Sequence, residues 1–244
     1  MKFVANEPAL VLGRHLIIAD LHLGKEFEFA KKGVNLAPEP KKAAGKLNEL
    51  LEKYECDSLV VLGDLKHDVT GFEEPERRVL REFLDALAVK DVTVVKGNHD
   101  SLIEGTMGLD VKPAEGFILQ GGYGLFHGHA WPSPDVLNCA VLFFGHSHPM
   151  MAFDDGFDGS FTRKAWVAGN LVDSAERGTR SRQKFVLFPA FSDLVGGMAL
   201  NSRDQPNDLI GPLMRNNLLD LQNAKTFLID GSPAGAPVPK QKPF

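Results

Sequence analysis

Ser58-Leu59-Val60-Val61-Leu62-Gly63-Asp64-Leu65-Lys66-His67 is the stretch from which the fold can be read. Its apolar run ends abruptly at a Gly-Asp pair. A short continuous apolar run predicts a strand buried on both faces, as in sheets covered by helices. A carboxylate just past the end of such a strand stands where α/β sheets build their sites. The same grammar recurs on both sides. Upstream, residues 9–12 and 15–19 flank a tight Gly13-Arg14 turn, predict a hairpin, and lead straight into Asp20. Downstream, residues 92–95 predict another buried strand, ending at Gly97-Asn98-His99-Asp100.

The intervening segments predict helices. Ala44, Leu47, Leu50 and Leu51 fall at helical spacing within residues 41–54. Val79, Leu80, Phe83, Leu84 and Leu87 do the same within residues 74–89, with Pro75 in the first turn. Strands alternating with helices argue for an α/β architecture. The second half is richer in strands: 116–120, 124–126, 140–144, 165–168 and 184–188 all read as such. Fewer helices separate them, which predicts a mixed or two-layered sheet. The polar turn Asp154-Asp155-Gly156-Phe157-Asp158-Gly159 reads as a hairpin loop, because it lacks the ligand spacing and terminal Glu of a calcium loop. Apolar residues from Asn207 to Leu221 predict a helix packed on the core, with a homo-oligomer face as the alternative. Residues 1–230 are expected to form one domain. The proline-rich segment 231–244 is expected to be an extended or disordered tail.

Composition narrows the function classes. A chain of 244 residues can bury a substantial core. A net charge of −5 argues against the basic surface of a general nucleic-acid binder, while leaving room for a local basic groove. Arg177, Arg180 and Arg182 read as a solvated loop, with substrate contact as the alternative. No apolar stretch reaches the ~18 residues of a membrane span, and no apolar leader opens the chain, so a cytoplasmic protein without membrane contact is expected. Cys56 and Cys139 are far apart, fit no metal or redox spacing, and are expected to be buried and reduced.

The chemistry is concentrated in five windows: Asp20-Leu21-His22, Gly63–His67, Gly97–Asp100, His127-Gly128-His129 and Gly145-His146-Ser147-His148. Seven of the eight histidines fall in them, and only His15 lies outside. Imidazole and carboxylate donors suit manganese, iron or zinc, and the absence of thiolates argues against a structural zinc site. Asp-x-His and His-x-His spacings are expected to put two ligands on one side of an extended strand. Asp64 has two oxygens with which to bridge two cations. Such a pair, roughly 3.5–4 Å apart, clamps a phosphoryl group and lowers the pKa of a bound water to about 7.

In this order the motifs resemble the calcineurin-like metallophosphoesterase superfamily, from Asp20 to His148. The opening Ala19–Lys25, the Gly63–His67 variant, and Phe188-Pro189-Ala190-Phe191 followed by Gly196-Gly197 are more narrowly similar to archaeal SbcD-related single-domain phosphoesterases. The resemblance implies a four-layer α-β-β-α sandwich of two mixed sheets, with two divalent cations at one end. Manganese is the expected pair, with iron, zinc or nickel as alternatives. It implies that Asp20, His22, Asp64 and His148 hold the first ion. Asn98, His127 and His146, together with Asp64, would hold the second. His99 would approach the phosphate without binding metal and would stabilise the transition state or protonate the leaving oxygen. Asp100 would orient His99 or cap its loop. His67 stands where many relatives carry an acidic residue or asparagine, and is expected behind the ligands. His129 is expected behind the ligands or facing substrate. The activity implied is hydrolysis of a phosphate ester, with a phosphodiester in a nucleic acid or nucleotide as the leading substrate. A phosphomonoesterase and a non-catalytic scaffold of the same fold are the competing readings.

Overall fold

In the computed structural model, residues 1–106, 108–157, 159–202 and 210–237 are described. The first sheet contains β1 (Lys2–Phe3), β2 (Ala9–Leu12), β3 (His15–Ile18), β4 (Ser58–Leu62), β5 (Asp91–Val95) and β6 (Leu109–Lys112), in that spatial order. β1, β2 and β3 are antiparallel neighbours, whereas β3 through β6 run parallel. The parallel strands need crossovers, and α2 (Pro40–Lys53) and α3 (Glu74–Ala86) supply two of them. α1 (Lys25–Lys31) precedes α2 and buries none of its residues.

The second sheet is also mixed. It contains β7 (Phe117–Leu119), β8 (Tyr123–Leu125), β9 (Val141–Phe144), β10 (Pro149–Asp154), β11 (Ser160–Asn170), β12 (Lys184–Leu187) and β13 (Met198–Ala199). Their order is β13-β10-β11-β12-β9-β8-β7, and β14 (Lys225–Leu228) pairs with the end of β11. The first half of β11 forms a long hairpin with β10, and its second half crosses to β12 and β14. The loop between β10 and β11 is held by the Asp155 carboxylate, which accepts from the backbone N–H groups of Phe157 and Gly159. Asp158 of that turn lies outside the described residues.

Alternation along the strands sorts the buried apolar side chains into three cores. Leu10, Ile17, Val60, Leu62, Phe143, Trp166, Val186 and Phe188 fill the space between the sheets. Leu16, Ile18, Leu59, Val61 and Val94 face outward and pack under Leu47, Leu51, Leu80 and Phe83 of the two long helices. On the far side, Leu142, Phe144, Phe185 and Leu187 are covered by Val136, Leu137, Leu213, Leu218 and Leu219. The expected four layers are present, but among the described residues the fourth contains only the one-turn helices α4 (Pro134–Leu137) and α5 (Pro212–Arg215) plus irregular chain.

Several boundaries differ from expectation. The helix predicted from Asn207 to Leu221 is not formed within the described residues 210–221. Pro212 starts the single turn α5, and Asn217 adopts a left-handed φ of 52° that ends it; residues 207–209 lie outside the described residues. The helix expected to run to residue 89 stops at Ala86, because Leu87 turns extended while remaining buried. The start of the expected tail pairs with β14 instead of leaving the body: the Ala234 N–H donates to Thr226 O at 3.0 Å and Ala234 is buried. Residues 238–244 lie outside the described residues. Both cysteines are free and buried, as expected. Among the described residues, no helix is long and apolar enough to cross a membrane.

Phe143 is fully buried between the sheets, with its ring 5.7 Å from Tyr123 and 6.3 Å from Phe188. Phe143→Ala is expected to lower stability by about 3–5 kcal/mol, measured by urea unfolding. Ile118→Ala, on an exposed position of β7, is expected to stay within about 0.5 kcal/mol of wild type.

Candidate metal centre

All five windows open from the C-terminal ends of strands that meet at one end of the sandwich. Asp20 follows β3, Asp64 follows β4, and residues 97–100 follow β5. His127 follows β8 in the other sheet, and His146 and His148 follow β9. The two sheets are tied together there. The Asp20 carboxylate accepts the His146 N–H, with its oxygens at 3.1 and 3.3 Å, and Phe191 N–H donates to Ala19 O at 2.8 Å. Within the first sheet, His22 N–H donates to Asp64 O at 2.8 Å.

The expected reason for the Asp-x-His and His-x-His spacings does not hold. These residues are not extended. Asp20, His22, Asp64, His146 and His148 all adopt left-handed backbone, with φ of 57°, 50°, 52°, 68° and 39°. In this backbone Asp20 and His22 reach the same donor set, whereas His146 and His148 reach different ones. For an L-residue this conformation costs roughly 1–2 kcal/mol, and it clusters at functional sites when the surroundings enforce it. Asp is among the residues that tolerate it best, and His is also enriched there.

The result is two sets of donor atoms that share one carboxylate. In the first set, ligand atoms of Asp20, His22, Asp64 and His148 lie within 4.8 Å of one another. Nε2 of His148 is 3.4 Å from Asp20 Oδ1, and Nε2 of His22 is 3.7 Å from Asp64 Oδ2. In the second set, Asp64, His127 and His146 meet the same limit. Nε2 of His127 lies 3.5 Å from Asp64 Oδ2 and 3.2 Å from Asn98 Oδ1. The six charged or imidazole members are all buried. A third group, His22, His67 and His99, also converges.

The rings are fixed by their second nitrogens. Nδ1–H of His127 donates to Leu62 O at 2.8 Å, and Nδ1–H of His148 donates to Gly196 O at 2.9 Å. His99 makes the equivalent bond to His67 O. Each bond leaves Nε2 facing the centre, where the neutral ring offers a lone pair, the usual way a metal-binding histidine is held. The donor set of imidazoles, carboxylates and one amide oxygen, with no thiolate, therefore fits a pair of divalent cations.

Electrostatics point the same way. Burial disfavours charge throughout the site, yet Asp64 is held well below the usual carboxylate range by His127, His22 and His99. Burial also disfavours the His127 imidazolium, but Asp64 and Asp20 outweigh it and push that ring up to about 10. His146, buried and beside His127, falls to about 3. The cluster thus attracts positive charge to a particular place, which a proton on His127 partly satisfies.

The other predicted residues occupy distinct positions. His99 is half-buried; its backbone N–H donates to Asp64 Oδ1 at 2.9 Å and its Nε2 lies 3.9 Å from Asp64 Oδ2. The Asp100 carboxylate accepts from Gly97 N–H at 2.8 Å and Lys66 N–H at 3.2 Å, which is the geometry of a loop cap. Burial and Asp64 raise its pKa to about 6. His129 packs 5.1 Å from the His127 ring, and its Nδ1 is buried without a hydrogen-bond partner. Arg177, Arg180 and Arg182 are exposed, and Arg177 lies over the Trp131 ring at 5.2 Å. Glu28, which sequence reasoning passed over, accepts from His67 Nε2 at 2.8 Å. Its only sequence signal was a charge on a short polar segment.

The profile of the family described as "Calcineurin-like phosphoesterase" matches residues 13–150. Among curated proteins no sequence matches. The fold is similar to that of Pseudomonas putida nuclease MPE, with a TM-score of 0.56 and 19% identity over 90% of this chain and 87% of that one. Yfce, a phosphoesterase from E. coli, gives a TM-score of 0.43 and 15% identity over 91% of this chain and 96% of that one. Wild-type Vps29 from Entamoeba histolytica, complexed with zinc, gives 0.32 and 18% over 75% and 79%.

Close packing explains one glycine in particular. A Cβ on Gly97 would collide with the carboxylate and backbone nitrogen of Asp64. Gly97→Ala is expected to displace the shared carboxylate, lower stability by about 1–3 kcal/mol, and reduce the divalent metal retained after dialysis. Elemental analysis and thermal melting of the same sample check both effects.

Proposed function

The chain belongs to the calcineurin-like phosphoesterase family, whose members are metal-dependent hydrolases of ester bonds, and from that premise we propose that it cleaves a phosphodiester. Two divalent cations would be held by Asp20, His22, Asp64 and His148 on one side and by Asp64, Asn98, His127 and His146 on the other. Manganese is the proposed pair, since the nitrogen and oxygen donors suit it. Within the family, the Ala19–Lys25 and Gly63–His67 motifs favour a relationship to the SbcD-related single-domain enzymes.

The observation that carries the diester reading is a pair of cavities reaching the centre. One, of about 630 Å³, is lined by His67 and His99 together with Phe27, Val69 and Pro75, and by Lys31 among the carboxylates of Glu28, Asp68, Glu73 and Glu76. The other, of about 550 Å³, is lined by His22 and Phe191, and by Lys42 and Lys46 among the carboxylates of Glu26, Glu39, Glu49 and Asp193. Both are in the size range of small-molecule sites. A diester carries an organic group on each of two ester oxygens, and two cavities can receive both, whereas a monoester needs one. The apolar side chains of both linings suit nucleoside groups, so a nucleotide or nucleic-acid strand is the proposed substrate class; carboxylates outnumber lysines in both cavities, so its recognition rests on the bases and the cations and not on a basic groove.

When bound, the cations would neutralise the phosphate oxygens and lower the pKa of a water to about 7. The chain's own residues do the rest. Asp64 holds the two donor sets in register. His99 keeps Nδ1–H on the His67 carbonyl, so Nε2 is the atom turned to the phosphate; as the imidazolium, with a second proton on Nε2, the ring would stabilise developing charge or deliver that proton to the leaving oxygen. Asp100 acts through the loop, bonding Gly97 and Lys66 so that His99 is presented at that distance.

Metal-stripped protein supplied with manganese is expected to hydrolyse bis-p-nitrophenyl phosphate faster than p-nitrophenyl phosphate. Preference for the monoester would turn the assignment to a phosphatase, and no turnover of either surrogate by protein holding two ions would favour a scaffold. His99→Ala is expected to lower turnover by about 10²–10⁴-fold at unchanged manganese content, because His99 belongs to neither donor set.

A further inference from the structure

We propose that His67 and Glu28 form a positioning relay that fixes the tautomer of His22 and so sets the affinity of one of the two metal positions. The inference rests on the metal-centre reading given above. Of the centre's histidines whose second nitrogen has a partner, His127, His148 and His99 all use a backbone carbonyl. His22 is different. Its Nδ1 lies 3.3 Å from Nδ1 of His67, a side-chain atom. Its Nε2 faces inward, 3.7 Å from Asp64 Oδ2 and 3.4 Å from Nε2 of His148.

Once His22 binds metal through Nε2, only one arrangement of protons satisfies the contact between its Nδ1 and His67 and that between His67 and Glu28. For His22 to offer a lone pair at Nε2, its proton must sit on Nδ1. That proton needs an acceptor, so His67 must present a lone pair at its own Nδ1. The proton of His67 is then on Nε2, where the Glu28 carboxylate accepts it at 2.8 Å. Glu28 is itself held ionised by Lys25 and Lys32, which keep its carboxyl well below the usual range. Lys25, 3.4 Å from His67 Nε2, can only donate, so it cannot take the place of Glu28 as acceptor there. The chain Glu28–His67–His22 therefore runs from α1 to the centre with every proton assigned. It also adds a polar tie to α1, which buries no residue and otherwise packs on the core through Phe27.

The relay makes a prediction that mere packing does not. In Asn, Oδ1 occupies nearly the position of Nδ1 in His, so His67→Asn retains an acceptor for His22, whereas His67→Leu retains only bulk. The backbone carbonyl that holds His99 survives both changes. Manganese binding is measured by calorimetry on metal-stripped protein, with no reliance on turnover. His67→Leu is expected to weaken one of two manganese sites about 10–100-fold. His67→Asn should recover most of that loss. Glu28→Ala, a partly exposed change that leaves the fold intact, should weaken the same site less, and Glu28→Gln, which retains an acceptor oxygen, should bind nearly as wild type. Two sites of wild-type affinity in His67→Leu, or equal losses in the Leu and Asn variants, overturn the relay alone. Wild-type protein that takes up no manganese overturns the metal-centre reading and the relay with it.

Discussion

The carboxylate of Asp64 is the constraint around which the molecule is arranged. It is 2% exposed and surrounded by imidazoles from both sheets. An isolated buried carboxylate would lose several kcal/mol of hydration. Here the loss is offset by the His99 N–H and by positive charge drawn to the two donor sets. Because one carboxylate belongs to both sets, neither can shift without the other. The interlocked backbones at β3 and β4, the glycine contact at Gly97, and the bond from His146 to Asp20 across the sheets all preserve its place.

That arrangement requires backbone that an unconstrained chain would avoid. Five donors sit in left-handed conformations, each unfavourable by roughly 1–2 kcal/mol. The strain is sustained by the apolar cores behind it, where the strands leading to the site are almost wholly buried. Strong packing of the strands and strained chain at their ends are thus parts of one design: the rigid sheets dictate where the loops begin, and the loops have no cheaper path that closes the centre. Metal ions, binding the folded arrangement alone, would add to this stability by mass action.

Much of this was legible in the chain, for reasons that can be named. Residues 58–64 announce a doubly buried strand and its terminal carboxylate in consecutive letters, and the seven clustered histidines mark the centre. The period-two argument for Asp20 and His22 does not hold, since both residues are left-handed and such backbone leaves no trace in residue spacing. The turn of the β10–β11 hairpin was legible, but β10 was not, because Pro149 and mixed polarity break up its pattern, and β11 looked short because only Ala165–Ala168 is uniformly apolar. α1 was invisible because Lys25-Glu26-Phe27-Glu28-Phe29 alternates like a strand, and Glu28 pairs with Lys25 and Lys32 where a buried stripe would normally stand. The apolar spacing after Ile210 suggested a long helix, but Pro212 and the left-handed Asn217 confine it to one turn.

The central claim is that Asp64 is shared by two cations. Anomalous diffraction at the manganese edge, from crystals soaked with that metal, tests it most directly. Two peaks roughly 3.5–4 Å apart, with the Asp64 carboxylate between them, are the predicted result. A single peak, or a second one remote from Asp64 and among His22, His67 and His99, would contradict the account.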